Sequence, residues 1–194
     1  MTIRKGEETY QKMIDVAIYY FAKDGIHKTS FSKIAEALHM TKPSLYYYIE
    51  SKEELIRKVF NYVLEDYKFS SYFDEESLEI TSVENYLIQG GNNFIEETAE
   101  QSIIIDLLNE FTLYANRMKA VDESFIEKIE ESRLSFLNGF EHALRVAKVE
   151  KSEIILRAQT LAIMLDHIQQ NQQMSIKTDE KKLWKHIVMQ TLKS

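Results

Sequence analysis

Residues 33–55, KIAEALHMTKPSLYYYIESKEEL, set the chain's only proline and three consecutive tyrosines between two segments of helical spacing. Just before the tyrosines, Phe31, Ile34, Ala35 and Leu38 recur at three- and four-residue intervals, which predicts a short helix capped by Thr29 or Ser30. His39 and Met40 form a turn. Thr41 then caps a third helix, and Pro43 falls in its first turn, where the missing N–H costs nothing. This helix is expected over about Lys42 to Tyr48, with Leu45 and Ile49 facing inward. Ser51, followed three residues later by Glu54, is a capping box that opens a fourth helix. Successive residues of a helix point about 100° apart, so Tyr46, Tyr47 and Tyr48 cannot all be buried together.

Working outward, Met13, Ile14, Ala17, Tyr20 and Phe21 mark the apolar face of a first helix that Gly25 closes. Two short helices joined by a four-residue turn, with a longer helix in support, describe a helix-turn-helix whose second member enters the major groove of DNA. The chemistry suits that task. Lys42 is placed to donate to guanine O6 or N7, Ser44 to donate or accept, and Pro43 to meet a thymine methyl, with Thr41 at the start of the same helix. Tyr46 and Tyr48 are expected at phosphates and Tyr47 packed beneath them. Lys52 and the backbone N–H groups at the start of the fourth helix would form a second anion site, and Thr29, Ser30 and Ser32 a third.

Composition agrees. Of 194 residues only five are glycine and one is proline, too few for a turn-rich sheet protein, so the expected fold is all-α. The absence of cysteine removes disulfides and thiolate metal sites. The start, MTIRKGEETYQKM, lacks a signal peptide's apolar run, and no stretch has the ~18 apolar residues of a membrane span, so a cytoplasmic protein is expected. The net charge of −7 is uneven: residues 1–58 carry 10 Lys and Arg against 8 Asp and Glu, the remainder 14 against 23. A slightly basic module joined to an acidic body suits a nucleic-acid-binding head attached to a different kind of domain.

The stretch AKDGIHKTSFSKIAEALHMTKPSLYYYIESKEELI resembles the DNA-binding domain of the TetR family of bacterial transcriptional regulators. It has that family's glycine after the first helix, the Thr/Ser pair opening the second, Ile34-Ala35 inside it, the Leu-Tyr pair with its aromatic run, and the Ser-Lys-Glu-Glu-Leu start of helix four. The likeness is specific over residues 10–60. His39 stands where the family usually has glycine, and Ile49 where it usually has phenylalanine. The resemblance implies a helix-turn-helix DNA-binding domain over 1–50 and a helical ligand-binding and dimerisation domain over 51–194. It also implies a homodimer on a double-stranded DNA operator, released by a small-molecule effector. An activator, or a head working through protein partners, is the alternative.

In the body, helices are expected near 83–98, 102–117, 122–148, 152–173 and 179–192, and KFSSYFDEESLEITS as a connection without periodicity. The glycines of QGGNN (89–93) predict a kink or a loop. LRAQTLAIMLDHIQQ is apolar nearly all round, which predicts a partner subunit on its second side, with a dimer seam of Leu161, Leu165, Ile168, Trp184, Ile187 and Val188. Pocket candidates are Tyr62, Tyr86, Phe94, Leu107, Phe111, Tyr114, Phe136 and Phe140, all equally explained by core packing. Glu96, Glu97, Glu100, Asp106 and Glu110 read as a solvated face; one turned inward beside Phe111 or Tyr114 would suit a cationic ligand. His142 and His167 each neighbour an acid but point away from it, so no metal is expected. No cofactor motif and no nucleophile, histidine and acid set is visible, and no enzyme is expected.

Overall fold

The computed structural model describes residues 5–172 and 177–193, and among them every regular element is a helix. The order is α1 (Lys5–Asp24), α2 (Phe31–Ala37), α3 (Lys42–Tyr46), α4 (Lys52–Asp66), α5 (Phe69–Tyr72), α6 (Glu75–Ile80), α7 (Val83–Glu100), α8 (Ser102–Met118), α9 (Ser124–Val146), α10 (Ile154–Gln172) and α11 (Glu180–Leu192). The N-terminal helix-turn-helix and the larger helical remainder match the expected fold class. So do the five body helices; residue 173, expected at the end of α10, lies outside the described residues. No described helix is long and apolar enough to cross a membrane.

Two compact units form: Met1–Glu65 with Ile103–Lys128, and Asp66–Ser102 with Ile129–Ser194. In the first, α4 buries Leu55, Ile56, Val59, Phe60, Val63 and Leu64, a stripe at three- and four-residue spacing. The Phe60 ring meets Phe111 at 4.4 Å and Phe125 at 5.1 Å, and Tyr114 meets Phe125 edge-on at 5.2 Å. Arg57 lies 4.8 Å above Phe125, donates to the Ser124 hydroxyl at 2.9 Å and pairs with Asp122. Hydrogen bonds from Ser124 and then Arg57 hold the Asp122 carboxyl below its usual pKa.

The second unit's core is aromatic. Phe69 and Phe73 stack at 4.2 Å and meet Phe140 edge-on, and Tyr72, Phe94 and Phe136 pack close by. The stretch expected as a plain connection supplies Phe69, Tyr72 and Phe73 to this core from α5 and the residue after it. Asp74 caps α6 by accepting the Glu76 N–H at 3.2 Å. Helices of four and six residues show too little periodicity to be read from spacing.

The expectation of a loop at QGGNN is corrected: α7 runs unbroken through it. Its buried positions are Tyr86, Leu87, Gly90, Gly91, Phe94, Ile95 and Thr98, so both glycines lie on the buried stripe. A Cβ at Gly90 would overlap the Phe73 ring, and one at Gly91 the Trp184 indole. The glycines admit rings to the helix backbone rather than ending the helix.

The dimer-seam residues also need correction. Leu161, Leu165, Ile168, Trp184 and Val188 are buried in their own unit's core, and Ile187 packs half-buried against it, so these side chains are already covered within the chain. The apolar residues left open on α10 are Ile155, Leu156, Ile163 and Met164, and on α11 Leu183 and Met189. An all-round apolar helix gives one side to its own core and leaves the other open.

Candidate nucleic-acid interface

The helix-turn-helix is built by local rules. Gly25, at φ 85, turns the chain out of α1, its N–H bonded to the Phe21 carbonyl at 3.1 Å. Ser30 caps α2 by accepting the Lys33 N–H at 3.2 Å. α2 ends in a Schellman motif: His39 is left-handed at φ 53, Met40 N–H donates to Ala35 O at 2.8 Å, and His39 N–H donates to Glu36 O at 3.0 Å. Histidine thus holds the left-handed turn that glycine usually takes. Thr41 caps α3 by accepting the Ser44 N–H at 3.3 Å, and the two hydroxyls share a hydrogen bond at 2.8 Å.

Leu45 and Ile49 are buried, as expected, and anchor α3. Counting about 100° per residue from Leu45, Tyr46 points sideways, Tyr47 nearly opposite, and Tyr48 and Ile49 turn back toward the core. The exposures follow that count: Tyr46 45%, Tyr47 85%, Tyr48 intermediate and Ile49 buried. The expectation that Tyr47 packs beneath its neighbours is therefore corrected; it is the outermost of the three, and the angular count alone would have found it. Its ring meets Tyr48 edge-on at 5.3 Å. Tyr46 stacks on Phe31 of α2 at 5.0 Å with 9° between planes, and the Lys42 ammonium sits 6.0 Å from the Tyr46 ring centre. Thr41, Lys42, Pro43, Ser44, Tyr46 and Tyr47 thus form one continuous exposed run interrupted only by Leu45.

The outlying candidates differ from this run. Ser30 and Ser32 are exposed. Thr29 is fully buried, and its hydroxyl donates to the carbonyls of Tyr20 and Gly25 at 3.0 Å each. That hydroxyl braces the turn into α2 and is not available to a phosphate, which corrects its place among the DNA contacts. Lys52 donates to the His27 carbonyl at 3.2 Å, and burial holds its ammonium below the usual lysine pKa. At the start of α4 the Glu54 N–H is bonded to Ser51 Oγ at 3.0 Å, and the Glu50 N–H to the Glu54 carboxylate at 2.8 Å, so a side-chain anion already serves that terminus.

The pocket candidates fall into two groups. Leu107, Phe111 and Tyr114 lie in the first unit's core, while Tyr86, Phe94, Phe136 and Phe140 lie in the second's. Tyr62 is exposed, and its hydroxyl accepts a long hydrogen bond from Gln11 at 3.4 Å. The second unit also contains polar groups among its rings: the Tyr67 hydroxyl and the Gln169 amide are within 3.1 Å, and Thr98 donates to Gln172 at 3.1 Å. Burial, reinforced by Asp166, pushes the Tyr67 hydroxyl far above its usual pKa, so it stays protonated. Glu110, one of the acids read as a solvated face, instead places its carboxylate on the Ile26 N–H. Its position next to Phe111 gave no signal of that distant partner. Among the described residues no group of three His, Cys, Asp or Glu is disposed to hold a metal ion.

Comparison with known proteins agrees with this geometry. The family model described as bacterial regulatory proteins, tetR family, matches residues 13–59. The HTH-type transcriptional regulator AcrR of Shigella flexneri is 31% identical over 58 residues, 30% of this chain and 27% of that protein. The biofilm operon icaADBC HTH-type negative transcriptional regulator IcaR of Staphylococcus epidermidis is 35% identical over 72 residues, 35% of this chain and 38% of that one. The match thus spans well under half the length of either relative. In fold, a TetR-like transcriptional regulator from Rhodococcus sp. RHA1 superimposes with a TM-score of 0.76 at 19% identity, covering 97% of both chains. Salmonella enterica GusR does so with 0.72 at 19% identity, covering 99% of both. Residues 13–59 thus match the model of the tetR family of bacterial regulatory proteins, and the described helices share the fold of TetR-like regulators.

Proposed function

We propose that the chain is a cytoplasmic, dimeric transcriptional repressor that binds a palindromic operator through two helix-turn-helix heads and leaves it when a small molecule binds. The observation that carries this is the division of labour on α3. Leu45 and Ile49 are buried, while Lys42, Pro43, Ser44, Tyr46 and Tyr47 face outward. A lysine, a hydroxyl and an apolar ring at the start of a helix are donors and contacts for base edges, and tyrosines at its far end suit phosphates. Tyr47 joins Tyr46 and Tyr48 as a phosphate candidate on its exposure; Ser30, Ser32 and Lys52 remain flanking candidates.

The functional division is a DNA-binding head over 1–50 and a ligand-binding and dimerisation body over 51–194. For the dimer, the open apolar residues of α10 and α11 supply the partner face, and two-fold symmetry sets half-sites about one DNA turn apart or a multiple of it. The effector's proposed seat is the second unit's interior, where Phe94 and Phe136 offer rings and Tyr67, Gln169 and Thr98 offer a few polar groups. Repression is supported by the negative-regulator name of the Staphylococcus relative.

The test is fluorescence anisotropy of the purified protein with DNA from upstream of its own coding sequence, over several salt concentrations, beside an unrelated duplex. Selective binding with a steep salt dependence supports the reading; equal, weak binding to both duplexes counts against it.

A further inference from the structure

The turn between α1 and α2 is held from outside the helix-turn-helix. The Ile26 N–H donates to the Glu110 carboxylate of α8 at 3.3 Å. A Cβ at Gly25 would lie 3.2 Å from the same carboxylate, so α8 presses directly on the one left-handed glycine of the turn. The next residue is gripped as well: the His27 ring lies 5.9 Å from that of Tyr114, one helical turn along α8, and the His27 carbonyl accepts from Lys52 of α4. Inside the head, the Thr29 hydroxyl ties the same turn to α1 through the Tyr20 and Gly25 carbonyls. Four of the five positions from Gly25 to Thr29 therefore bear on the placement of α2, which in turn carries α3 through the Phe31–Tyr46 stack.

We propose that Glu110 is a positioning residue for DNA binding: seated on the Gly25–Ile26 turn, it fixes how α2 and α3 stand on α1 without touching DNA. The inference rests on the DNA-binding reading of the head. A hydrogen bond to an ionised acceptor is stronger than one between neutral groups, and a buried or half-buried N–H that loses its acceptor pushes the local backbone to find another. Without the Glu110 carboxylate the Ile26 N–H must find another partner, which frees the α2–α3 pair to tilt.

Simple electrostatics gives the opposite sign, which makes the idea testable. A carboxylate near a DNA-binding head repels phosphate, so its removal alone should tighten binding. Positioning predicts weaker binding on removal and recovery when only the charge is removed. Four proteins are compared on the duplex that the wild type selects: wild type, Glu110→Ala, Glu110→Asp and Glu110→Gln, each checked by circular dichroism. Glu110→Asp keeps the charge but withdraws the acceptor by one methylene, and serves if the alanine variant does not fold. Glutamine keeps an acceptor oxygen at the same reach. Expected is a loss of about tenfold in affinity for Ala and Asp, recovery to within about twofold for Gln, and an unchanged salt slope, because no phosphate contact is removed. Amide hydrogen exchange should show Ile26 losing protection in Ala and Asp and keeping it in Gln. Variants that all bind as tightly as the wild type or tighter, or an Ile26 amide equally protected in all four, overturn the inference while the regulator reading stands. A wild-type protein that prefers no duplex overturns the regulator reading and takes this role for Glu110 with it.

Discussion

The ring of Tyr46 lies nearly parallel to that of Phe31, 5.0 Å away, so the recognition helix is joined to the helix before it by a stacked pair. α3 has only five residues and cannot be stable by itself, so the stack and the buried Leu45 and Ile49 must hold it. Tyr46→Ala is expected to cost about 1–2 kcal/mol of stability, and Leu45→Ala about 3 kcal/mol. Tyr47→Ala, at the exposed summit, should stay within about 0.5 kcal/mol while lowering DNA affinity. Urea midpoints beside anisotropy titrations check this; a Tyr47→Ala protein as destabilised as Tyr46→Ala would contradict the outward placement.

Gly91 meets Trp184 so closely that any Cβ overlaps the indole, whose N–H donates to the Leu87 carbonyl at 2.9 Å. Alanine gains about 1 kcal/mol of helix propensity over glycine, yet overpacking a rigid aromatic core typically costs more, up to about 3 kcal/mol. Gly91→Ala should therefore destabilise by up to about 2 kcal/mol net, read as a lower urea midpoint at unchanged slope. A neutral or stabilised variant would show that the indole can move aside.

His39 occupies a left-handed turn at φ 53 and is exposed. Replacing it with glycine removes the Cβ strain at the end of α2, against some loss of backbone entropy. His39→Gly is expected to stabilise by about 0.5–1 kcal/mol, measured by thermal and urea unfolding.

Asp166 on α10 supplies a pH test. Burial raises its carboxyl pKa against the opposing influences of Arg133, His167 and the Gln170 amide. The unfolded value is about 3.9. Since the folded pKa is the higher, folding favours the protonated acid, and the stability it contributes is lost as pH climbs through the folded pKa. Asp166→Asn should raise the melting temperature at pH 7 by about 2 °C, with the gap closing as pH falls through the folded pKa toward the unfolded one. A gap constant between pH 7 and 4 would refute the assignment.

Ile163 is two-thirds exposed on α10, on the side away from the second unit's core. If a second copy covers that side, Ile163→Asp places a charge in the seam without disturbing the protomer. Size-exclusion chromatography with light scattering should then give a monomer of unchanged helix content, against a wild-type dimer. A variant that elutes as the wild type would remove this face from the dimer.

Much of this architecture was legible because helices advertise themselves by period. α4 and α7 to α11 stand where the apolar spacing put them, and the caps Ser30 and Thr41 stand where their side chains predict. What stayed hidden depends on contacts between residues far apart in the chain. Glycines 90 and 91 read as helix breakers because the rings of Phe73 and Trp184 that need the space are remote in sequence. Thr29 read as a surface hydroxyl because its two carbonyl acceptors appear only once the turn closes. Glu110 read as solvated because its partner lies 84 residues away. Tyr47 is the exception: its direction was available from the angular count from Leu45.

Trp184 is the chain's single tryptophan, and it is sealed inside the second unit. Its emission therefore reports on that unit's core alone, while the helix-turn-helix contains no tryptophan. A melting curve read from indole fluorescence and one read from release of a labelled duplex would follow different parts of the same molecule. Coincident curves would show a single cooperative transition; separated curves would give each unit its own stability, from one unmodified protein.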